Sequence, residues 1–232
     1  MFSYYGSKSK VVKYYPEPMY DTIIEPFAGS ARYSLHGDNW KRNVILVDKH
    51  DVIVAIWRYL KGASQDRISS LPDVLPGQNI DSINGLTKEE RYLIGFSING
   101  GSSSPKKTAS PIGNFGSGWV NARNYAEQVS QNVKHWRIIQ GDYKCLANQE
   151  ATWFIDPPYQ YGGEYYKHSS KRIDYNELRE WCLSRKGQVI VCENTKATWM
   201  DFTPLKSMHG SKHTTTEAMW TNMPQVEQLQ LE

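Results

Sequence analysis

The stretch TWFIDPPYQYGG, residues 152–163, joins a short apolar segment to a polar and conformationally restricted turn. Its first four residues are β-branched, aromatic or aliphatic, which predicts a strand buried on both faces of a sheet. An acid, two prolines and a tyrosine follow at once: Asp156, Pro157, Pro158 and Tyr159. Ligands of open α/β sheets bind beyond the carboxyl ends of the strands, so this turn is predicted to belong to a binding site.

Other segments of the chain alternate between strand and helix patterns. Four more stretches predict short buried strands: TIIE (22–25), NVILV (43–47), RIIQ (137–140) and QVIVCE (188–193). Two amphipathic stretches predict helices, DVIVAIWRYL (51–60) and DYNELREWCLS (174–184), and the second begins with Asp174 and Glu177 in capping-box spacing. This alternation predicts right-handed crossovers and a Rossmann-like α/β fold, with a mostly parallel central sheet flanked by helices.

The alternation stops between residues 62 and 135. TKEERYLIGFSI (87–98) predicts a helix whose capping box is formed by Thr87 and Glu90. A polar loop of about 20 residues follows, which is uncommon in a compact domain unless it is functional or disordered. Next comes a helix whose apolar residues share a face: Val120, Tyr125, Val129, Val133 and Trp136. We predict a main domain of residues 1–61 and 136–232 with an inserted recognition subdomain, 62–135.

Composition narrows the class of protein. The 232 residues are 39% hydrophobic, carry a net charge of +3, and contain neither a signal-peptide core nor an apolar run of membrane-spanning length. Cys145, Cys182 and Cys192 are odd in number and widely spaced, which favours reduced thiols over disulfides or a zinc site. We therefore expect a globular cytoplasmic protein without a membrane segment or a bound metal.

Positive charge is concentrated in one acid-free stretch. Residues 91–126 contain no Asp or Glu but include four cations: Arg91, Lys106, Lys107 and Arg123. Such a stretch suits a phosphate backbone, and the alternative is an ordinary solvated loop. YGGEYYKHSSKR (161–172) has two similar interpretations, a mobile lid with Lys167, Lys171 and Arg172 on phosphates, or a surface loop.

A second motif predicts a nucleoside-containing ligand. IIEPFAGSA (23–31) is a strand that runs into a turn of small residues, without the glycine and lysine pattern of an NTPase loop or GxGxxG. Asp48 follows Gly29 by 19 residues and ends the next predicted strand, where a carboxylate can bind both hydroxyls of a ribose. The alternative role for Asp48 is the N-cap of the helix 51–60.

Three blocks occur in an order that characterises one family: YYGSKSK (4–10), EPFAGSA (25–31) and DPPY (156–159). GDY (141–143), VIVCEN (189–194) and TEAMWTN (216–222) accompany them. Over essentially its whole length the chain resembles the Dam-like, α-class DNA adenine-N6 methyltransferases. It departs from their pattern at Ala31, followed by Arg32, where the family often has a second glycine.

The resemblance implies the S-adenosylmethionine-dependent methyltransferase fold and methyl transfer to the N6 amine of adenine in double-stranded DNA. The cofactor-binding residues that it implies are Tyr4, Lys8, Glu25, Phe27, Ala28, Gly29, Asp48, Asp142, Tyr143 and Asp156. The catalytic residues are Asp156, Pro157, Pro158 and Tyr159. Together with composition, it places on DNA the side chains of Arg91, Asn99, Ser102, Lys106, Lys107, Asn114, Arg123, Lys167, Lys171 and Arg172. We expect a monomer or a dimer.

The implied chemistry agrees with what these side chains can do. The adenine amine is a poor nucleophile, and its N–H groups can donate to the Asp156 carboxylate and the Pro157 carbonyl as the lone pair localises. Tyr159 is expected to stack on the base, which must leave the duplex to be reached. Cytosine N4 in DNA, adenine in RNA, or a catalytically silent DNA-binding relative stay open as alternatives.

Overall fold

The computed structural model describes residues 2, 4–99, 101–111, 115–209 and 214–223. Its strands are β1 (Thr22–Glu25), β2 (Asn43–Asp48), β3 (Arg137–Gln140), β4 (Ala151–Ile155), β5 (Gly187–Asn194), β6 (Thr203–His209) and β7 (Thr214–Thr221). They form one seven-stranded sheet in the order β3-β2-β1-β4-β5-β7-β6. The first five strands are parallel, and β7 runs antiparallel to both β5 and β6. The prediction of an α/β fold with a mostly parallel sheet is confirmed.

In the described residues, five α-helices accompany the sheet: α1 (Asp51–Gly62), α2 (Gln65–Ser69), α3 (Lys88–Ser97), α4 (Phe115–Asn132) and α5 (Tyr175–Leu183). The capping box predicted for α3, Thr87 with Glu90, is present. At α5 only half of the predicted box forms. Asp174 accepts from the backbone N–H groups of Asn176 and Glu177, while the Glu177 carboxylate binds Lys144.

Apolar residues on both faces of the sheet are buried, which explains the continuous apolar runs in its strands. All five residues of β4 are buried. Trp153 packs in the same cluster as Leu178 of α5, whereas Phe154 packs on the other side and stacks on Tyr33 at a centroid distance of 4.2 Å. Successive side chains of a strand point to opposite faces, so a strand covered on both sides must be apolar throughout.

Strand order reverses between β1 and β4. From β1 the chain proceeds through β2 to β3 at one edge, and it then returns to the other side of β1 to form β4 and β5. Ile23 pairs with Thr152 and Ile24 with Trp153, which brings the carboxyl ends of these two strands together. A crevice at such a reversal is the usual ligand site of an open α/β sheet. Glu25 and Asp156 lie at its base.

The loop predicted before α4 is shorter than expected. Helix α4 begins at Phe115, so part of the predicted loop is helical despite the glycines at 116 and 118. Tertiary packing compensates for their low helix propensity, because Trp119 is fully buried and its Nε1 donates to the Pro72 carbonyl at 2.8 Å. The remaining loop is held at two β-bridges, Tyr4 with Ser102 and Asn79 with Thr108.

The sequence analysis also missed the hairpin of β6 and β7. The polar threonines and Glu217 of TTTEAMWT obscure a strand whose Ala218 and Met219 are buried against β5. Cys182 and Cys192 are buried thiols as expected, whereas Cys145 is exposed. In the described ranges, no helix combines the length and apolar character needed to cross a bilayer.

Candidate functional site

A cavity of about 390 Å³ opens beyond the carboxyl ends of β1 and β4. This volume falls within the range of roughly 300 to 1,000 Å³ that small-molecule sites occupy. Twelve residues singled out from the sequence line it: Tyr4, Lys8, Glu25, Phe27, Ala28, Gly29, Asp48, Asp142, Tyr143, Asp156, Pro158 and Arg172. All ten predicted cofactor-binding residues are among them, so segments that are far apart in sequence meet at one site.

The turn after β1 forms one wall of the cavity. Gly29 has a φ of 45°, and a Cβ atom there would approach the Tyr4 ring to 3.2 Å, so both the backbone and the available space favour glycine at this position. Its carbonyl accepts a hydrogen bond from Trp57 Nε1 at 2.9 Å. Ala31 also has a φ of 45° and is the one non-glycine residue with positive φ in the described part of the chain. The turn thus has a left-handed backbone at an alanine.

Asp48, the last residue of β2, joins this turn to the start of α1. Its Oδ2 accepts from the Gly29 N–H at 2.9 Å and its Oδ1 from the His50 N–H at 2.8 Å. The N-cap of α1 is His50, whose Nδ1 accepts from Val52 N–H, so the helix-cap alternative for Asp48 is wrong. Burial raises the pKa of Asp48 to about 6 against the effect of both backbone donors. Each carboxylate oxygen keeps a lone pair for a ligand in the cavity.

Aromatic rings line the cavity next to a second acid. The rings of Phe27 and Tyr143 lie 5.5 Å apart at 34°, and the edge of Trp181 supports Tyr143 at 5.0 Å. Asp142 directly precedes Tyr143 and accepts from Lys49 Nζ at 3.0 Å. Flat apolar surfaces beside a hydrogen-bond acceptor suit a heterocyclic base that carries an amine.

Lys8 and Asp156 form an ion pair at the base of the cavity. The Lys8 Nζ lies 2.8 Å from an Asp156 oxygen and 3.6 Å from Glu217, and it donates to the Gly6 carbonyl at 3.1 Å. Burial lowers the pKa of Lys8, but the two carboxylates outweigh burial and the net pKa is raised. Burial raises the pKa of Asp156 to about 6, with Lys8 lowering it and Glu217 raising it further. Asp156 is therefore a carboxylate at neutral pH.

Glu217 of β7 is a component of the site that the sequence analysis did not single out. Its Oε1 accepts from the Tyr15 hydroxyl at 2.6 Å and from the Tyr159 hydroxyl. The Lys8 ammonium lies 4.6 Å from the centroid of the Tyr159 ring. Tyr159 is thus held at its hydroxyl and at its ring face, beside the cavity rather than in its lining. The motif TEAMWTN (216–222), which contains Glu217, accompanies the family resemblance, but nothing in its residue pattern assigned Glu217 a role.

Hydrogen bonds with polar side chains hold the DPPY turn, residues 156–159, in place. Glu193 is fully buried, and its Oε1 accepts from the Gln160 N–H at 2.6 Å and from Trp199 Nε1 at 3.1 Å. The Tyr175 hydroxyl donates to the Pro158 carbonyl at 2.6 Å. Burial raises the pKa of Glu193 to about 7. Pro157 is buried within this turn, so its backbone position is set by packing as well as by its ring.

The segment 161–172 packs against the N-terminal residues along one side of the cavity. The Tyr166 hydroxyl donates to the Tyr5 carbonyl at 3.1 Å, and the two rings lie 5.1 Å apart. Lys167 pairs with Asp51 at 2.6 Å, so its charge is engaged within the chain. Lys171 and Arg172 are exposed, and Arg172 lines the cavity.

The cations of the insertion differ in their surroundings. Arg91 donates to the carbonyls of Ile80 and Ile83, and Arg123 donates to the Leu71 carbonyl and pairs with Asp73 at 2.8 Å. Lys107 pairs with Asp81 at 2.9 Å. Lys106 is exposed and has no ion pair among the residues that the structure describes.

The predicted polar contacts of the insertion hold its loop together. The Asn99 amide donates to the Thr108 carbonyl and accepts from the Ser110 N–H, and the Ser102 hydroxyl donates to the Ser104 carbonyl. Asn114 lies outside the described residues. In the described ranges, neither these side chains nor the insertion cations belong to the cavity lining, although Ser102 is bridged to Tyr4, which does.

Over the same ranges, the structure brings together no group of three or more His, Cys, Asp or Glu side chains suited to a metal ion. The sequence matches no known family model, and no curated protein matches it. A function must therefore be argued from the cavity and its side chains.

Proposed function

We propose that this protein transfers a methyl group from S-adenosylmethionine to the N6 amine of adenine in double-stranded DNA. The observation that carries the proposal is the convergence of Asp48, the Phe27 and Tyr143 rings, and Asp156 on one cavity at the strand-order reversal. Each feature suits a different part of a nucleoside methyl donor and its acceptor. The resemblance to adenine-N6 methyltransferases supports the choice of adenine.

The cavity fits the proposed cofactor. The Phe27 and Tyr143 rings suit its adenine, and the remaining lone pairs of Asp48 suit its ribose hydroxyls. Glu25 is 2% exposed, accepts from Ser34 N–H at 2.8 Å and lines the same cavity. Burial raises the pKa of Glu25 to about 8, and a cationic group of the ligand would favour its ionised form. S-adenosylmethionine supplies a methyl group on a positively charged sulfur, so no metal is required for transfer.

Asp156 is the residue that we assign to the reacting amine. As a carboxylate it accepts one N–H bond while the Pro157 carbonyl accepts the other, and both interactions strengthen as the nitrogen lone pair localises. Lys8 lowers the pKa of Asp156 and so keeps the acceptor ionised near neutral pH. A pKa of about 6 also suits Asp156 to take the proton that the methylated amine must lose.

Exposed cations supply the proposed contacts to the DNA backbone. Lys106 of the insertion and Lys171 and Arg172 of the segment 161–172 are exposed. Phosphate contacts of this kind set affinity and register without reading sequence. Adenine must leave the duplex to reach a cavity at the end of a sheet, and unstacking it costs a few kcal/mol.

The test is methylation of a defined duplex by the purified protein with isotopically labelled S-adenosylmethionine, followed by nucleoside mass spectrometry. We expect N6-methyladenine, and we expect Asp156→Ala to lose on the order of 100-fold or more in kcat while DNA affinity changes only a few-fold. If the product is N4-methylcytosine, the substrate is cytosine in DNA. If methylation occurs only with RNA, the substrate is RNA rather than DNA. If Asp156→Ala keeps its turnover, the mechanism proposed for Asp156 is wrong.

Ala31 raises the alternative of a catalytically silent DNA-binding relative. The turn nevertheless keeps a left-handed φ of 45° at Ala31, whose N–H donates to the Ala28 carbonyl at 2.7 Å. This backbone supports a working cofactor turn. Calorimetry with S-adenosylmethionine distinguishes the two cases, because the silent relative is expected to bind DNA and not the cofactor.

A further inference from the structure

Three polar side chains form one corner of the cavity: Ser7, Ser30 and Arg32. The Ser7 Oγ accepts from the Ser30 hydroxyl at 3.0 Å and from Arg32 Nε at 3.1 Å. Those two bonds use both lone pairs of the oxygen, so the Ser7 hydroxyl can act only as a donor towards a further group. Its proton has no acceptor among the described residues. We call these three residues the donor corner.

Arg32 adds more unused donors to this corner. Its guanidinium is half-buried, and within the described ranges its one hydrogen bond is the bond from Nε to Ser7. No carboxylate in those ranges pairs with it. Burial lowers the pKa of Arg32, and Tyr125 acts in the opposite direction. Arg91 and Arg123, which are also partly buried, both have carbonyl and carboxylate partners. A desolvated cation without a partner is costly, which favours a bound anion at Arg32.

Other cations around the cavity are already engaged or lie at its rim. Lys8 is held by Asp156 and Glu217, Lys49 by Asp142, and Lys144 by Glu177. Arg172 is exposed at the entrance. Lys8 is among the cofactor-binding residues that the family resemblance implies, but its charge is neutralised inside the chain. Among the described residues that line the cavity, Arg32 is therefore the half-buried cation without a carboxylate partner, and it can bind an anionic ligand.

We infer that Arg32 and the Ser7 hydroxyl bind the carboxylate of the amino-acid end of S-adenosylmethionine. A guanidinium fork pairs with a carboxylate through two parallel hydrogen bonds, and the terminal nitrogens of Arg32 are available for that geometry. The carboxyl group of Glu25 lines the same cavity, and burial raises its pKa to about 8, so a neighbouring ammonium would favour its ionised form. The donor corner and the Glu25 carboxyl group in one cavity fit a zwitterion better than a DNA phosphate, because a phosphate has no cationic group to place beside Glu25. This inference rests on the proposed function.

The experiment compares two ligands by calorimetry: S-adenosylmethionine and decarboxylated S-adenosylmethionine, which keeps the amine and the sulfonium. We expect Arg32→Met to weaken S-adenosylmethionine roughly 10- to 150-fold, the effect of losing hydrogen bonds between charged groups. The decarboxylated ligand should change by less than about 3-fold, and this second ligand reports that the variant is folded. Arg32→Lys should recover part of the loss, because lysine keeps the charge but not the fork.

Several outcomes overturn the assignment. Equal losses for the two ligands, or no loss for either, mean that Arg32 does not contact the carboxylate. A loss of DNA affinity with unchanged cofactor affinity makes Arg32 a phosphate contact instead. If the wild-type protein binds both ligands equally, the carboxylate is not recognised and this inference alone fails. If it binds neither, the proposed function fails with it.

Discussion

The Nζ of Lys8 lies 2.8 Å from a carboxylate oxygen of Asp156, and only 7% of the lysine side chain is exposed. The same ammonium lies 3.6 Å from Glu217, which accepts hydrogen bonds from two tyrosines. One buried ammonium therefore forms ion pairs with two carboxylates. The charge on Asp156 depends on residues from both ends of the chain, and that dependence can be measured.

Lys8→Met should shift the pH dependence of methylation. Lys8 lowers the pKa of Asp156, so its removal should raise that pKa above about 6. The active form of Asp156 is the carboxylate, and activity is lost as pH falls through its pKa. The acid limb of kcat/KM against pH should therefore move to higher pH. Stability should also fall, by on the order of 3 kcal/mol, because two buried carboxylates lose their partner.

Lys8→Arg is the matched control, because it keeps the positive charge. Its acid limb should stay close to that of the wild type. An acid limb that is unmoved in Lys8→Met, or that moves to lower pH, contradicts the role assigned to this ion pair.

Two substitutions of Glu217 should distinguish the effect of its hydrogen bonds on stability from the effect of its charge on the pH profile. Glu217→Gln keeps an oxygen that can accept from Tyr15 and Tyr159, so its unfolding free energy should stay close to that of the wild type. Glu217→Ala leaves both hydroxyls without this acceptor and should cost about 1 to 3 kcal/mol for each buried hydroxyl. Chemical denaturation measures both values.

The charge of Glu217 should appear in the pH profile instead. Glu217 raises the pKa of Asp156, so Glu217→Gln should move the acid limb to lower pH, opposite to Lys8→Met. If Gln and Ala destabilise the fold equally, the carboxylate charge rather than its acceptor oxygen holds the tyrosines.

The position of a site residue could be predicted from the sequence where an acidic side chain ends or directly follows a predicted strand. Glu25, Asp48 and Asp156 each end or directly follow a parallel strand, and parallel strands bring their carboxyl ends to one edge. Short apolar runs were therefore enough to place Asp48 and Asp156 at the ends of strands, whereas Glu25 was assigned to the site by the family resemblance alone. The cavity brings the three side chains together.

Contacts between distant parts of the chain could not be predicted in this way. Tyr15 and Glu217 are 202 residues apart, and no local pattern encodes their hydrogen bond. The same holds for the bond between Ser7 and Arg32. The hairpin of β6 and β7 was missed because β7 begins with three consecutive threonines and Glu217, so its pattern is too weak to distinguish it from a loop.

Ala31→Gly should be nearly neutral for stability, although Ala31 is 1% exposed. Removing the Cβ relieves roughly 1 to 2 kcal/mol at a left-handed position. It also costs about 0.4 to 1 kcal/mol in chain entropy and about 0.8 kcal/mol in lost apolar burial. These effects nearly cancel, so thermal or chemical denaturation should give a change within about 1 kcal/mol.

Ala28→Gly is the matched control in the same turn. Ala28 is 4% exposed and is not among the residues with positive φ, so its substitution brings no relief of strain. It should destabilise the protein by about 1 to 2 kcal/mol. Equal losses for the two glycine variants mean that the Ala31 backbone stores no strain.

The contribution of the insertion to DNA binding can be tested through two adjacent lysines. Lys106 has no ion pair in the described part of the chain, whereas Lys107 pairs with Asp81 at 2.9 Å. A phosphate contact by Lys106 displaces counterions directly, while Lys107 must first give up its carboxylate. Lys106→Ala should therefore reduce the slope of log affinity against log salt by about 0.9, and Lys107→Ala by less. The affinity for S-adenosylmethionine should stay unchanged in both variants.

The double variant Lys171→Ala with Arg172→Ala tests the segment 161–172 in the same salt titration. If that variant lowers the slope while neither lysine variant of the insertion does, the DNA backbone is held at the mouth of the cavity, and the acid-free stretch is an ordinary solvated loop.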